Sequence, residues 1–213
     1  MKNKNLVIIT SLIIVAIFIG LVYFYTSSQS NILFSSNMEV SLEKDHSMTF
    51  GENKKNIVVV EFMDPQCESC AVFHTIIKKM YKEYSSDIKL VIRYIPNHKN
   101  SKYAIKILEA SREQNKYNEV LNVILDRQGA WAQQNNEKPE LIWTFLTQIE
   151  GLNIDKLRDD ANNPELDEII NIDINDAKAM GIKGTPTIFV NEKKLDTLSE
   201  KELFNSIEAE IYK

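Results

Sequence analysis

Phe62-Met63-Asp64-Pro65-Gln66-Cys67-Glu68-Ser69-Cys70, FMDPQCESC, carries both cysteines of a 213-residue chain. Two thiols at this spacing serve as a structural staple, as half of a metal site or as a redox pair. The residues on either side narrow the choice. Upstream, Asn56–Met63 (NIVVVEFM) is a β-branched run stopped by Asp-Pro, which reads as a buried strand. Downstream the apolar positions change to helical spacing at Cys70, Phe73, Ile77, Met80, Tyr81 and Tyr84. A helix is therefore expected to start just after Pro65 and run to about Tyr84. The cysteines fall at a strand-to-helix corner.

Beyond that corner, Ile88–Ile95 (IKLVIRYI) is a second strand stopped by Pro96-Asn97, and strand–helix–strand implies a right-handed parallel crossover. Helical patterns follow at Ser101–Asn115, Lys116–Asp126, Pro139–Glu150, Asp155–Asn162 and Pro164–Met180. Their breaks fall at Gln128-Gly129, Gly151 and Asn163-Pro164. Trp131 and Trp143 read as core anchors of this helical layer. Thr187–Asn191 (TIFVN) is a further strand, turning through Asn191-Glu-Lys-Lys into a short partner near Leu195. The last helix opens on a capping box, Ser199 with Glu202, and buries Leu203, Ile207 and Ile211. Glu39–Leu42 and Met48–Phe50 read as a short edge hairpin.

Leu6–Tyr25 is twenty residues without a charge, long enough as a helix to cross a bilayer core of about 30 Å. Lys2 and Lys4 precede it and the next basic residue is Lys44, which orients the short N-terminus toward the cytoplasm and the remainder outside. A cleaved signal peptide is the alternative, against the length of the run and its weak cleavage sites. The expected organisation is an anchor over 1–25, a linker over 26–37 and one domain over 38–213. Both readings place the domain in a compartment where disulfides persist. A formal net charge of −5 with no dense basic cluster argues against a nucleic-acid partner.

As a staple, Cys67–Cys70 closes so short a loop that it removes little chain entropy. As a zinc site it lacks a second half, because there is no third cysteine and His46, His74 and His98 show no ligand spacing. Two thiolates remain a chemically possible copper(I) site. The redox reading has two supports. Cys67 falls at a helix N-terminus, where unpaired amides and the helix dipole stabilise a thiolate, and Cys70 falls one turn deeper as its resolving partner. Far downstream, Gly184-Thr185-Pro186-Thr187 (GTPT) opens a core strand on a proline, which a cis Thr185–Pro186 bond accommodates. That turn offers a backbone edge beside Cys67 for an extended substrate segment.

Together, FMDPQCESC, the helical insertion and IKGTPTIFVN resemble the DsbA-like branch of the thioredoxin superfamily, over about residues 55–212. The resemblance implies an α/β thioredoxin fold with a helical insertion at about 100–180. It implies that Cys67 forms the mixed disulfide with substrate, that Cys70 resolves it and that Pro186 faces them, with Thr185 and Pro186 meeting the substrate. Glu61, six residues before Cys67, matches the buried acid of the first core strand and would relay the Cys70 proton. His74 falls where a polar group often lies near the same channel, and Arg93 is the expected counter-charge to Glu61. Glu68-Ser69 replaces the histidine of strongly oxidising relatives, and a carboxylate there is expected to oppose the Cys67 thiolate. No cofactor is expected. The expected partners are cysteine-containing exported proteins and a membrane redox partner that recycles the disulfide. Disulfide donation is the preferred direction, with a reductase or isomerase, or a copper(I)-binding delivery protein, as alternatives.

Overall fold

Strand β2, Ile57–Met63, is buried along nearly its whole length because it is the central strand of the sheet and both of its faces are covered. The computed structural model describes residues 41–213. The apolar run at 6–25 and the linker at 26–37 lie outside these residues, and among the described residues no helix is long and apolar enough to cross a membrane. Five strands form one sheet in the order β1 (Met48–Phe50), β3 (Ile88–Tyr94), β2, β4 (Thr187–Val190), β5 (Lys193–Lys194). Only β2 and β3 run parallel, joined by helix α1, Glu68–Tyr84.

Strand parity divides the sheet into two faces. Val59, Met63, Leu90, Ile92 and Ile188 point into the main core, against Phe73, Ile77 and Met80 of α1 and against Leu203 and Ile207 of the last helix, α8 (Glu200–Ile211). Val60, Phe62 and Val91 point to the other face, against Ala177. Between β3 and β4 the chain inserts α2 (Ser101–Ala110), a 3₁₀ turn at Ser111–Gln114, α3 (Tyr117–Asp126), α4 (Gln128–Trp131), α5 (Leu141–Leu146), α6 (Ile154–Asp160) and α7 (Glu165–Ala179). Trp131 is fully buried and donates Nε1–H to the Ile124 carbonyl at 2.8 Å, while the Arg158 guanidinium lies 4.2 Å over the Trp143 ring. Both tryptophans anchor the insertion, as expected.

Three local expectations need correction. Met48–Phe50 is a strand, but it pairs antiparallel with β3 and not with the segment before it; Ser41 and Leu42 are not in a strand, and Glu39 and Val40 lie outside the described residues. Gln128-Gly129 does not break the helices but opens α4, the break falling at Arg127. Tertiary contacts of Gln128 and Trp131 outweigh the low helix propensity of Gly129. At α8, Ser199 Oγ accepts from Glu202 N at 3.2 Å, which is half of a capping box. The Glu202 carboxylate instead accepts from the amides of Asp196 and Thr197 and fastens the preceding loop.

Candidate active site

Asp64 to Cys67 form a tight turn in which Cys67 N donates to Asp64 O at 3.0 Å, so the helix begins two residues later than expected. Cys67 is its N-cap, with extended backbone (φ −75°, ψ 120°), and its side chain is half-buried at the mouth of the helix. Cys70, one turn deeper, is 1% exposed. Asp64 itself is fully buried and organises the turn. Its Oδ1 accepts from Gln66 N at 2.8 Å, and its Oδ2 accepts from Asn97 N at 2.8 Å and lies 2.7 Å from His98 Nδ1. Gln66 Oε1 accepts from Asn100 N at 2.7 Å. The loop after β3 therefore holds one flank of the cysteine turn. From the insertion, Gln128 Nε2 holds the other, donating to the carbonyls of Pro65 and Cys67, each at 2.8 Å.

The GTPT segment lies against the same thiol. The Thr185–Pro186 bond is cis, and Cys67 Sγ–H donates to the Thr185 carbonyl at 3.3 Å. Thr187 Oγ1 donates to Gly184 O at 2.7 Å, closing the turn into β4. Two segments over a hundred residues apart thus meet at one sulfur.

The two thiols are held in opposite states of acidity. Cys67 is lowered to about 5, chiefly by a hydrogen bond from the Cys70 side chain. Partial burial works against this, and the Thr185 side chain and the amides of Cys70 and Ser69 add to it. Burial pushes the Cys70 thiol far up, assisted by its pairing with Cys67 and by the nearby charge of Glu61, while the Asp64 amide donates to its sulfur at 3.4 Å. At neutral pH this is an accessible nucleophilic thiolate above a protected thiol.

A family model described as thioredoxin matches residues 43–209. The chain belongs to the thioredoxin family. A Rickettsia conorii protein named as a protein-disulfide oxidoreductase is 31% identical over 164 residues, which cover 73% of this chain and 58% of that one. The chain thus spans less than two thirds of the length of that relative. Among solved structures, BdbD from Bacillus subtilis in its oxidised form matches with a TM-score of 0.70 at 23% identity, over 79% of this chain and 94% of that one. The α-DsbA1 protein of Wolbachia pipientis matches with a TM-score of 0.70 at 19% identity, over 82% and 95%. The fold is therefore the DsbA-like form of the thioredoxin fold, helical insertion included.

Within this thioredoxin-family site Glu61 is 3% exposed and desolvation raises it to about 8. It faces the main core with Ile92 and Ile188, its partners in register on β3 and β4. Arg93 does not reach it. In the parallel β2–β3 register Arg93 pairs with Phe62, so strand alternation sends it through the opposite face. There, fully buried, it donates to Asp173 Oδ1 and Asp176 Oδ2, both at 2.6 Å, and to the carbonyls of Ser41 and Leu42. Arg93 is thus not the counter-charge to Glu61 but the centre of a buried ion-pair cluster on the other face. Arg93→Met should cost about 3 kcal/mol in a denaturant titration by removing the guanidinium shared by two carboxylates, which keep Lys44, His46 and the Tyr94 amide as partners. Its exchange rate should stay within a factor of two of wild type, and a tenfold loss would return Arg93 to the site.

His74 is buried, its Nε2 lying 2.9 Å from Asn122 Oδ1 on α3, and burial lowers its pKa. It joins α1 to the insertion and makes no hydrogen bond to either cysteine among the described residues. Glu68 and Ser69 are exposed. The exposed Glu68 carboxylate is not among the leading influences on Cys67. Sequence reasoning missed Asp64 and Gln128. Asp64 was legible only as a strand stop, and Gln128 as half of a break signal.

Proposed function

We propose that this protein is an extracytoplasmic thiol–disulfide oxidoreductase that donates disulfides to cysteine-containing exported proteins. The observation that carries the direction is the Cys67 thiol, held near 5 at the accessible N-cap of α1. Stabilising the thiolate stabilises the reduced protein, which makes its disulfide the stronger oxidant. In the oxidised protein a substrate thiolate attacks Cys67 Sγ. The Cys67–Cys70 bond breaks, a substrate–Cys67 disulfide forms, and Cys70 leaves as a thiolate that takes a proton from Glu61. A second substrate thiolate then attacks the substrate sulfur, releasing the oxidised substrate and the Cys67 thiolate. Two electrons have passed to the protein, and a quinone-linked membrane partner takes them up to restore the disulfide. The Thr185 carbonyl, beside the attacked Cys67 sulfur, supports pairing with an extended substrate strand. The uncharged stretch at 6–25 supports tethering of the domain to a membrane.

Equilibration with glutathione tests the direction. About 30 mV accompanies each pKa unit of stabilisation. A thiol two units below the ~7 of thioredoxin should therefore give a potential of about −210 mV, against about −270 mV for thioredoxin. The protein should also reactivate reduced, denatured ribonuclease stoichiometrically. A potential at or below that of thioredoxin, with insulin reduction in dithiothreitol, would establish a reductase instead. Copper(I) binding without exchange would establish a delivery protein.

A further inference from the structure

The Cys67 carbonyl accepts three hydrogen bonds, from Cys70 N at 3.0 Å, from Ala71 N at 3.2 Å and from Gln128 Nε2 at 2.8 Å. A carbonyl oxygen has two lone pairs, so one donor is in excess. The Cys70 amide is also among the groups that stabilise the Cys67 thiolate. It donates to the Cys67 oxygen at 3.0 Å, so the oxygen and the sulfur of one residue compete for it. Gln128 enters that competition from outside the helix, as a second strong donor to the oxygen. Its side chain is 6% exposed, and the other proton of the same amide goes to Pro65 O, so the group bridges two carbonyls of the cysteine turn. Its own place is fixed by the single turn of α4, where Trp131 is fully buried.

We propose that Gln128 is a positioning residue for the exchange chemistry: by sharing the Cys67 carbonyl it weakens that oxygen's hold on the Cys70 amide, which can then turn toward the sulfur as the sulfur gains charge. The proposal rests on the thiol–disulfide reading above and extends it to the insertion, whose hydrogen bond to the reacting cysteine, among the described residues, comes from this side chain. Nothing covalent happens at Gln128. Its amide moves no proton and only redistributes donors between two acceptors as the sulfur gains charge.

The test is titration of the reduced full-length chain by thiolate absorbance near 240 nm, with thermal unfolding recorded for each variant. Gln128→Leu removes both donors at similar volume, and Gln128→Met does so with an unbranched chain should leucine not be accommodated. Each should raise the Cys67 midpoint by about one pH unit, the scale of one lost hydrogen bond. Trp131→Phe loosens the packing of the same helical turn while keeping both Gln128 donors, and should titrate as wild type. A Gln128 variant that is folded and titrates with the wild-type midpoint overturns the proposal. So does a Trp131→Phe protein whose midpoint shifts as far as the Gln128 variants, since that makes the effect one of packing. The titration uses no substrate. A chain that shows the shift but fails to exchange disulfides refutes the functional reading and leaves Gln128 in its role.

Discussion

Cys67→Ser should abolish disulfide exchange completely, whereas Cys70→Ser should lose disulfide donation but, offered a substrate disulfide in the reducing direction, should stop with the substrate covalently attached to Cys67. The asymmetry follows from the two environments. Cys67 is half-buried and lowered to about 5, so at pH 7 roughly 99% of it is thiolate. Serine at that position forms neither thiolate nor disulfide, and no other cysteine in the chain takes its place. Cys70 is sealed from solvent and its thiol is held protonated by burial, so it neither attacks substrates nor meets them. Its work is internal. Serine there keeps a hydroxyl that still donates to the Cys67 sulfur, the leading cause of that thiol's acidity. The Cys70→Ser protein should therefore retain a reactive Cys67, capture a substrate disulfide and fail to resolve it. Non-reducing electrophoresis and intact mass should show close to one substrate per chain, released by dithiothreitol. Turnover by either variant would refute the assignment of roles, and capture by Cys67→Ser would reverse it.

The sequence disclosed the parts of this site that are local or tied to a period. A β-branched run meeting a helical pattern at Cys67 located the corner, and a proline opening the strand at Thr187 located its counterpart. Most strand and helix boundaries fell within about two residues, because the burial pattern repeats within each element. The helix expected over Pro139–Glu150, however, spans only Leu141–Leu146, and that over Ser101–Asn115 gives way to a 3₁₀ turn after Ala110. What stayed hidden depends on faces and on distance. Glu61 and Arg93 both interrupt apolar strands, and pairing them is reasonable until the register is known; a β2–β3 alignment of Phe62 with Arg93 puts the two charges on opposite sides of the sheet. Gln128 is invisible for a different reason. Glutamine before glycine is a helix-break signal, and its partners, the carbonyls of Pro65 and Cys67, are more than sixty residues away and carry no side-chain signature. Adjacency in sequence suggested a strong charge effect from Glu68, but its carboxylate is exposed, which weakens such an effect, and it is not among the leading influences on Cys67.

Glu61→Gln should slow exchange and stabilise the protein at alkaline pH, two effects of opposite sign from one carboxyl. Buried against the main core, Glu61 is raised from 4.5 to about 8. At pH 7 about nine-tenths of it is protonated, the state needed to protonate Cys70 as it leaves in the donating direction. Glutamine fills the same volume without an acidic proton. Attack of a substrate thiolate on the oxidised variant should therefore be slower by about 10²-fold at pH 7. The wild-type advantage should fade as pH rises through about 8, where Glu61 loses its proton. The stability effect runs by linkage. Below about pH 4.5 folded and unfolded chains both hold the proton, and ionisation costs nothing. Between about 4.5 and 8 the unfolded chain releases it while the folded chain keeps it, so wild-type stability falls with rising pH; above 8 the loss is complete. At about 1.4 kcal/mol per unit, the stability difference between Glu61→Gln and wild type should change by roughly 3–5 kcal/mol from pH 4 to pH 9 in the variant's favour. The buried amide has its own cost, but that cost is the same at every pH and drops out of the change. Urea titrations across this range, with both proteins reduced, read the effect directly. A difference that stays flat with pH would mean that Glu61 is not buried as a neutral acid, and the proton relay would fall with it.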